Sequence, residues 1–167
     1  MHVLIQSTLQ TLQKSKVLLS TLSDYDLGNT NVGPYYSSIG THVRHILDFY
    51  DCILIEEDRF DLTARKRNKI VETCCNAAES YCDKLLAKLK QLDQEDNLNR
   101  HVIVLDDLGL GTIEIDYTYA GLLAQANSHT IHHYAIINYI LDGLQIKIKD
   151  ETFGYNPTTP KPEVKLA

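Results

Sequence analysis

No stretch of this sequence approaches the ~20 consecutive apolar residues that cover a bilayer, so no membrane-spanning helix is expected. Residues Met1 to Gln10 lack a basic start and a long apolar run, so no signal peptide is expected, and a cytoplasmic location follows as the expectation. Positive charge is short: 16 Lys and Arg against 22 Asp and Glu leave a net charge of −6. Nucleic acid needs a basic footprint, so an acidic chain is a poor general partner for it. The four cysteines, Cys52, Cys74, Cys75 and Cys82, form no C-x-x-C pair. Reduced, core-filling thiols are expected rather than a disulfide framework.

Several catalytic signatures are missing as well. There is no Glu-x-x-His, which disfavours a di-iron carboxylate centre. There is no H-E-x-x-H and no G-x-S-x-G. Gly109-Leu110-Gly111 lacks a third glycine and precedes a strand pattern, so it is no dinucleotide fingerprint. No internal repeat or low-complexity tract is visible.

What is present is an ordinary globular composition, 44% hydrophobic and 23% charged over 167 residues. Ile5, Leu9, Leu12 and Leu19 keep helical spacing and predict a first helix over 3–22. A second is expected over 37–57, capped by Ser37 or Ser38 and carrying Ile39, Val43, Ile46, Tyr50 and Ile53. A third is expected over 69–92 and a fourth over 119–144. On the fourth, Leu122, Ala126, His129, His133, Ile136 and Ile140 read as a bundle seam. Residues 58–68 and 91–100 read as polar connections. Between the last two helices, alternation at Val102, Val104 and at Ile113, Ile115, Tyr117 predicts a short β-hairpin. The expected fold is therefore all-α: an antiparallel four-helix bundle over 1–150, with a β-hairpin before the last helix and an extended C-terminal arm over 151–167.

The histidines carry the chemistry. His42 and His45 fall on the second helix; His129, His132 and His133 fall on the fourth. His129 and His133 are four apart, so their imidazoles leave one helical face. Seam imidazoles cost free energy unless their nitrogens find partners, and a metal ion would satisfy both at once. A third histidine from the second helix would complete the site and leave a coordination position open. The apolar stripe on that helix lies nearer His42 than His45. His132 stands ~100° around the helix from His133, at the edge of the site or outside it. Haem held by two histidines is a lesser alternative. Arg65-Lys66-Arg67 offers an anion site, although a solvated helix start explains it more simply.

Two motifs carry a resemblance. Ser38-Ile39-Gly40-Thr41-His42-Val43-Arg44-His45-Ile46-Leu47-Asp48 and Ser128-His129-Thr130-Ile131-His132-His133-Tyr134-Ala135 resemble the second helix and the H-x-x-x-H helix of the DinB/YfiT-like superfamily. Asp61 to Asn68 and Phe153 to Pro157 resemble family segments less specifically. The resemblance implies a four-helix bundle holding a divalent metal, zinc or nickel, on His45, His129 and His133. It implies thiol-dependent transfer or hydrolysis on a small molecule in some members, and a homodimer. Apolar faces around Cys75 and Cys82 give a separate ground for the homodimer. Asp48, one turn from His45, is the candidate to orient a ring nitrogen or act as base; Tyr134 and Asn127 are weaker candidates. A non-catalytic, metal-stabilised ligand-binding or stress-response module is the alternative function.

Overall fold

The apolar spacing at the start of the chain builds α1 (Val3–Leu19), which buries Ile5, Leu9, Leu12 and Leu19. The computed structural model describes residues 1–95 and 98–160; side chains are described outside 93–97 and 161–167. The expected first helix stops at Leu19 because Ser23 starts another. The Ser23 hydroxyl accepts from the Asp26 amide (3.2 Å), and the Asp26 carboxylate accepts from the Ser23 amide (3.1 Å). This reciprocal cap opens α2 (Asp24–Gly28). Ser38 caps α3 (Ile39–Ile53) by accepting from the Thr41 amide at 3.0 Å.

Next come β1 (Arg59–Asp61), a 3-10 turn (Lys69–Glu72) and α4 (Cys75–Glu95). The strands β2 (His101–Asp107) and β3 (Thr112–Thr118) lead into α5 (Tyr119–Gly143). β2 and β3 pair antiparallel, with His101 opposite Thr118 and Asp107 opposite Thr112. The Asp107 carboxylate accepts from the Gly109 and Gly111 amides (2.7 and 3.3 Å), and both glycines have positive φ, which suits a residue without Cβ.

The expected all-α four-helix bundle is corrected here. The chain is mixed α/β, because β1 joins the hairpin and makes a three-stranded mixed sheet in the order β1-β2-β3. β1 runs parallel to β2, with Phe60 opposite Val104. Three residues show no alternation, so 58–68 reads as a polar connection. Phe60 is nonetheless buried, 5.9 Å from the Tyr119 ring. The third helix begins at Cys75 rather than at 69, after a 3-10 turn that buries Val71. Of the connection expected over 91–100, residues 91–95 instead continue α4, and 96–97 lie outside the described residues.

The long helices α1, α3, α4 and α5 share one core: α1 touches α4 and α5, and α3 touches the same two. Three tyrosines fill it, each with a satisfied phenol. The Tyr119 hydroxyl donates to the Ile53 carbonyl (2.8 Å), and the Tyr134 hydroxyl to the Thr11 carbonyl (3.1 Å). Tyr50 accepts from the Thr130 hydroxyl (3.3 Å). Cys82 is fully buried with its thiol toward the Leu12 carbonyl, and the Cys75 thiol points to the Leu22 carbonyl. The face that gave a ground for the homodimer thus packs within the chain.

Within the segment expected to form an arm, residues 151–154 form turns and Phe153 is buried against Tyr134, ring centres 4.5 Å apart. The Asn138 amide donates to the Phe153 carbonyl at 2.6 Å, and Lys14 pairs with Asp150 at 3.1 Å. Residues 161–167 of that arm lie outside the described residues.

Candidate metal centre

α3 and α5 pack side by side, and the histidines occupy the margin of that contact. The buried stripe of α5 runs through Tyr119, Leu122, Leu123, Ala126, Thr130, Tyr134, Ile137 and Leu141. His129 and His133 stand beside this stripe and are half-buried. From Leu122 the buried stripe steps by four residues through Ala126 and Thr130 to Tyr134, each step carrying it ~40° past a full turn and away from the heptad places held by His129 and His133. Thr130 and Tyr134 therefore take the inward places. On α3, His42 and His45 flank Val43 and Ile46 in the same way.

Three imidazoles converge. His45 Nε2 lies 2.8 Å from His129 Nε2, and His133 Nε2 lies 3.1 Å from the same atom. The three ligand atoms sit within 4.8 Å of one another and can hold a metal ion. The hydrogen-bond count supports this fit. A neutral imidazole nitrogen offers one in-plane proton or one lone pair, so His129 Nε2 can make one well-formed bond but has two neighbours. An ion among the three would accept all three lone pairs. Among the described residues, no carboxylate or thiol completes the group.

The electrostatics keep the rings neutral, the form a metal requires. His45 is pushed down to about 4, by burial first and then by the Arg65 charge and His129. His133 is pushed down to about 3, by burial first and then by His129, His45 and His42. His42 and His129 are lowered as well, chiefly by burial.

His42 is not part of the triad. Its Nδ1 lies 2.8 Å from His133 Nδ1, and its Nε2 lies 2.8 Å from the Ser37 hydroxyl. Ser37, one of two candidate helix caps by sequence, thus serves the histidines while Ser38 caps the helix. His132 is exposed, its ring 5.5 Å from that of His133.

Asp48 is not brought to the ring nitrogens. Its carboxylate accepts from the Arg44 guanidinium (3.0 Å) and the Tyr81 hydroxyl (3.4 Å), and Arg44 also pairs with Glu72. Burial raises the Asp48 pKa against the pull of Arg44. Tyr134 is committed to the core, and the Asn127 side-chain oxygen is buried with no hydrogen-bond partner among the described residues.

Arg65 and Phe49 are the neighbours that sequence reasoning did not place. The Arg65 guanidinium lies 5.5 Å from the centre of the Phe49 ring, whose edge meets His129 with centres 5.4 Å apart. Arg65 also lines a cavity of about 460 Å³, together with Asp48, Cys52, Asp61, Lys66 and Lys88. The basic run at 65–67 was the signal for Arg65. No helix among the described residues is long and apolar enough to cross a membrane. No known family model and no curated protein matches this chain.

Proposed function

We propose that His45, His129 and His133 hold one divalent ion, zinc or nickel, and that the chain is a metal-dependent enzyme acting on a small molecule by thiol-dependent transfer or by hydrolysis, as the resemblance to the DinB/YfiT-like proteins implies. The observation that carries this reading is the convergence of three neutral imidazole nitrogens with no acidic or thiol ligand beside them among the described residues. Three neutral ligands leave the ion its full double charge. A bound ion would supply Lewis-acid activation of a thiol or a water at an open coordination position.

The chain's own residues do the rest. The three rings stay neutral and point their Nε2 atoms inward. Phe49 packs against the His129 ring, nearly perpendicular to it, and helps hold that ring in place. Arg65, on the wall of the cavity beside the triad's Phe49 neighbour, brings positive charge near His45 and His129 and favours an anionic group. Among the described residues no cysteine joins the triad, so the thiol of this reading is supplied by the small molecule. Asp48 organises Arg44 and Tyr81 around α3 rather than serving as a base at the triad.

The test is elemental analysis of protein purified without a histidine tag, followed by screening of thiol-transfer and hydrolytic substrates. One equivalent of zinc or nickel is expected, lost in His45→Ala, His129→Ala and His133→Ala and kept in His132→Ala. Full retention in His129→Ala and His133→Ala would place the site elsewhere. Ion-loaded protein that turns over no substrate of either class would favour the binding-module alternative.

A further inference from the structure

His133 is engaged from both sides of its ring. Its Nε2 faces the triad, 3.1 Å from His129 Nε2, while its Nδ1 lies 2.8 Å from His42 Nδ1. Beyond it, His42 Nε2 lies 2.8 Å from the Ser37 hydroxyl. Two neutral imidazoles can meet Nδ1 to Nδ1 only if one carries its proton there and the other does not. The metal reading decides which. A ligating Nε2 must present its lone pair, so the proton of His133 resides on Nδ1 and is donated to His42 Nδ1. His42 must then carry its proton on Nε2, where it donates to Ser37. One assignment of protons satisfies all three contacts; the opposite one leaves His133 with a proton pointing at the ion.

We infer that His42 is a positioning residue for the metal centre: it accepts the Nδ1 proton of His133, locks that ring in the ligating tautomer, and is itself oriented by Ser37. This rests on the metal reading above. It gives His42 a role in which it binds no ion. The partners that orient metal-bound histidines are commonly carboxylates or backbone carbonyls; here the partner is a second imidazole. Ser37 directly follows Tyr36, a non-glycine residue at φ 53°, in the loop leading into α3. The far end of the hydrogen-bond chain is therefore held by backbone on the N-terminal side of α3, not by the helix that carries His133.

The inference is tested with cobalt(II) titrations of wild type, His42→Leu, His42→Gln and His45→Leu, following the visible d–d bands. Leu and Gln fill similar space, but only the Gln amide offers an oxygen acceptor for the His133 proton. His42→Leu should weaken cobalt binding about 10–100-fold, the usual range for loss of such a partner, and His42→Gln should recover most of it. Equal affinities for the Leu and Gln variants would overturn the inference. So would loss of the bound equivalent in His42→Leu with retention in His45→Leu, since His42 would then itself be a ligand. If His42→Leu does not fold, imidazole ¹⁵N spectra of zinc-loaded wild type decide the same point. They should show His133 protonated on Nδ1 and His42 on Nε2; the reverse pattern overturns it. A wild type that binds no cobalt removes the metal reading and this inference together, whereas a wild type that binds one equivalent with indifferent His42 variants removes only this one.

Discussion

A Cβ at Gly40 would collide with the Glu72 carbonyl, because the first turn of α3 lies directly against the 3-10 turn at 69–72. The neighbour is backbone and cannot swing aside. Gly40→Ala should therefore cost about 1–3 kcal/mol in urea unfolding, the usual range for forced overpacking, and should weaken metal binding by displacing His42 and His45. The imidazoles give a second expectation at this scale. His45 and His133 are held at about 4 and about 3, below the ordinary 6.5. Their folded pKa values lie below the unfolded ones. As pH falls through about 6.5, the unfolded chain takes up protons that the folded one refuses. Stability is whole above that pH and is lost on acidification down to the folded values. The urea midpoint of the metal-free protein should fall steadily from about pH 7 to pH 4, and His133→Gln should make the fall shallower. An unchanged slope in that variant would show that this ring is not the one refusing the proton.

Among the elements, α5 shows where sequence reading succeeds and where it stops. The four-residue spacing of His129 and His133 fixes their common face on any helix, so the pair is legible from the chain alone. Which residues lie deepest is set by how α5 settles between α1 and α3, and there Thr130 and Tyr134 displace the histidines from the centre of the stripe. On α3 the spacing left His42 and His45 open, because both flank the buried residues. The packing of α3 against α5 puts His45 at the triad and His42 behind His133; the family resemblance had named His45. β1 was not legible for a different reason. Its three residues become a strand only by pairing with β2, more than forty positions later, and no local pattern encodes that partner. The turn at 150–154 likewise gains its place through one ring: Phe153 is buried on Tyr134 beneath α5. Phe153→Ala should lower stability by about 3–5 kcal/mol, as for other buried aromatics. Thermal denaturation checks this, and a change below about 1 kcal/mol would mean the site collapses around the loss.

At the scale of the whole molecule, the proposed ligands come from two elements only. His45 and His129 stand 84 positions apart, and β1, α4, β2 and β3 all lie between them in the chain. An ion on these rings acts as a latch on one seam of the core. It opposes every fluctuation that parts α3 from α5 and is indifferent to those that part α1 from α4. A ligand stabilises only against openings that release it. Saturating zinc should therefore slow amide hydrogen exchange through both α3 and α5, while exchange at the α1–α4 seam changes only where it proceeds by global unfolding. The latch would make the molecule's stability anisotropic: stiff across the seam that holds the chemistry, and free to breathe on the side where Cys82 lies hidden.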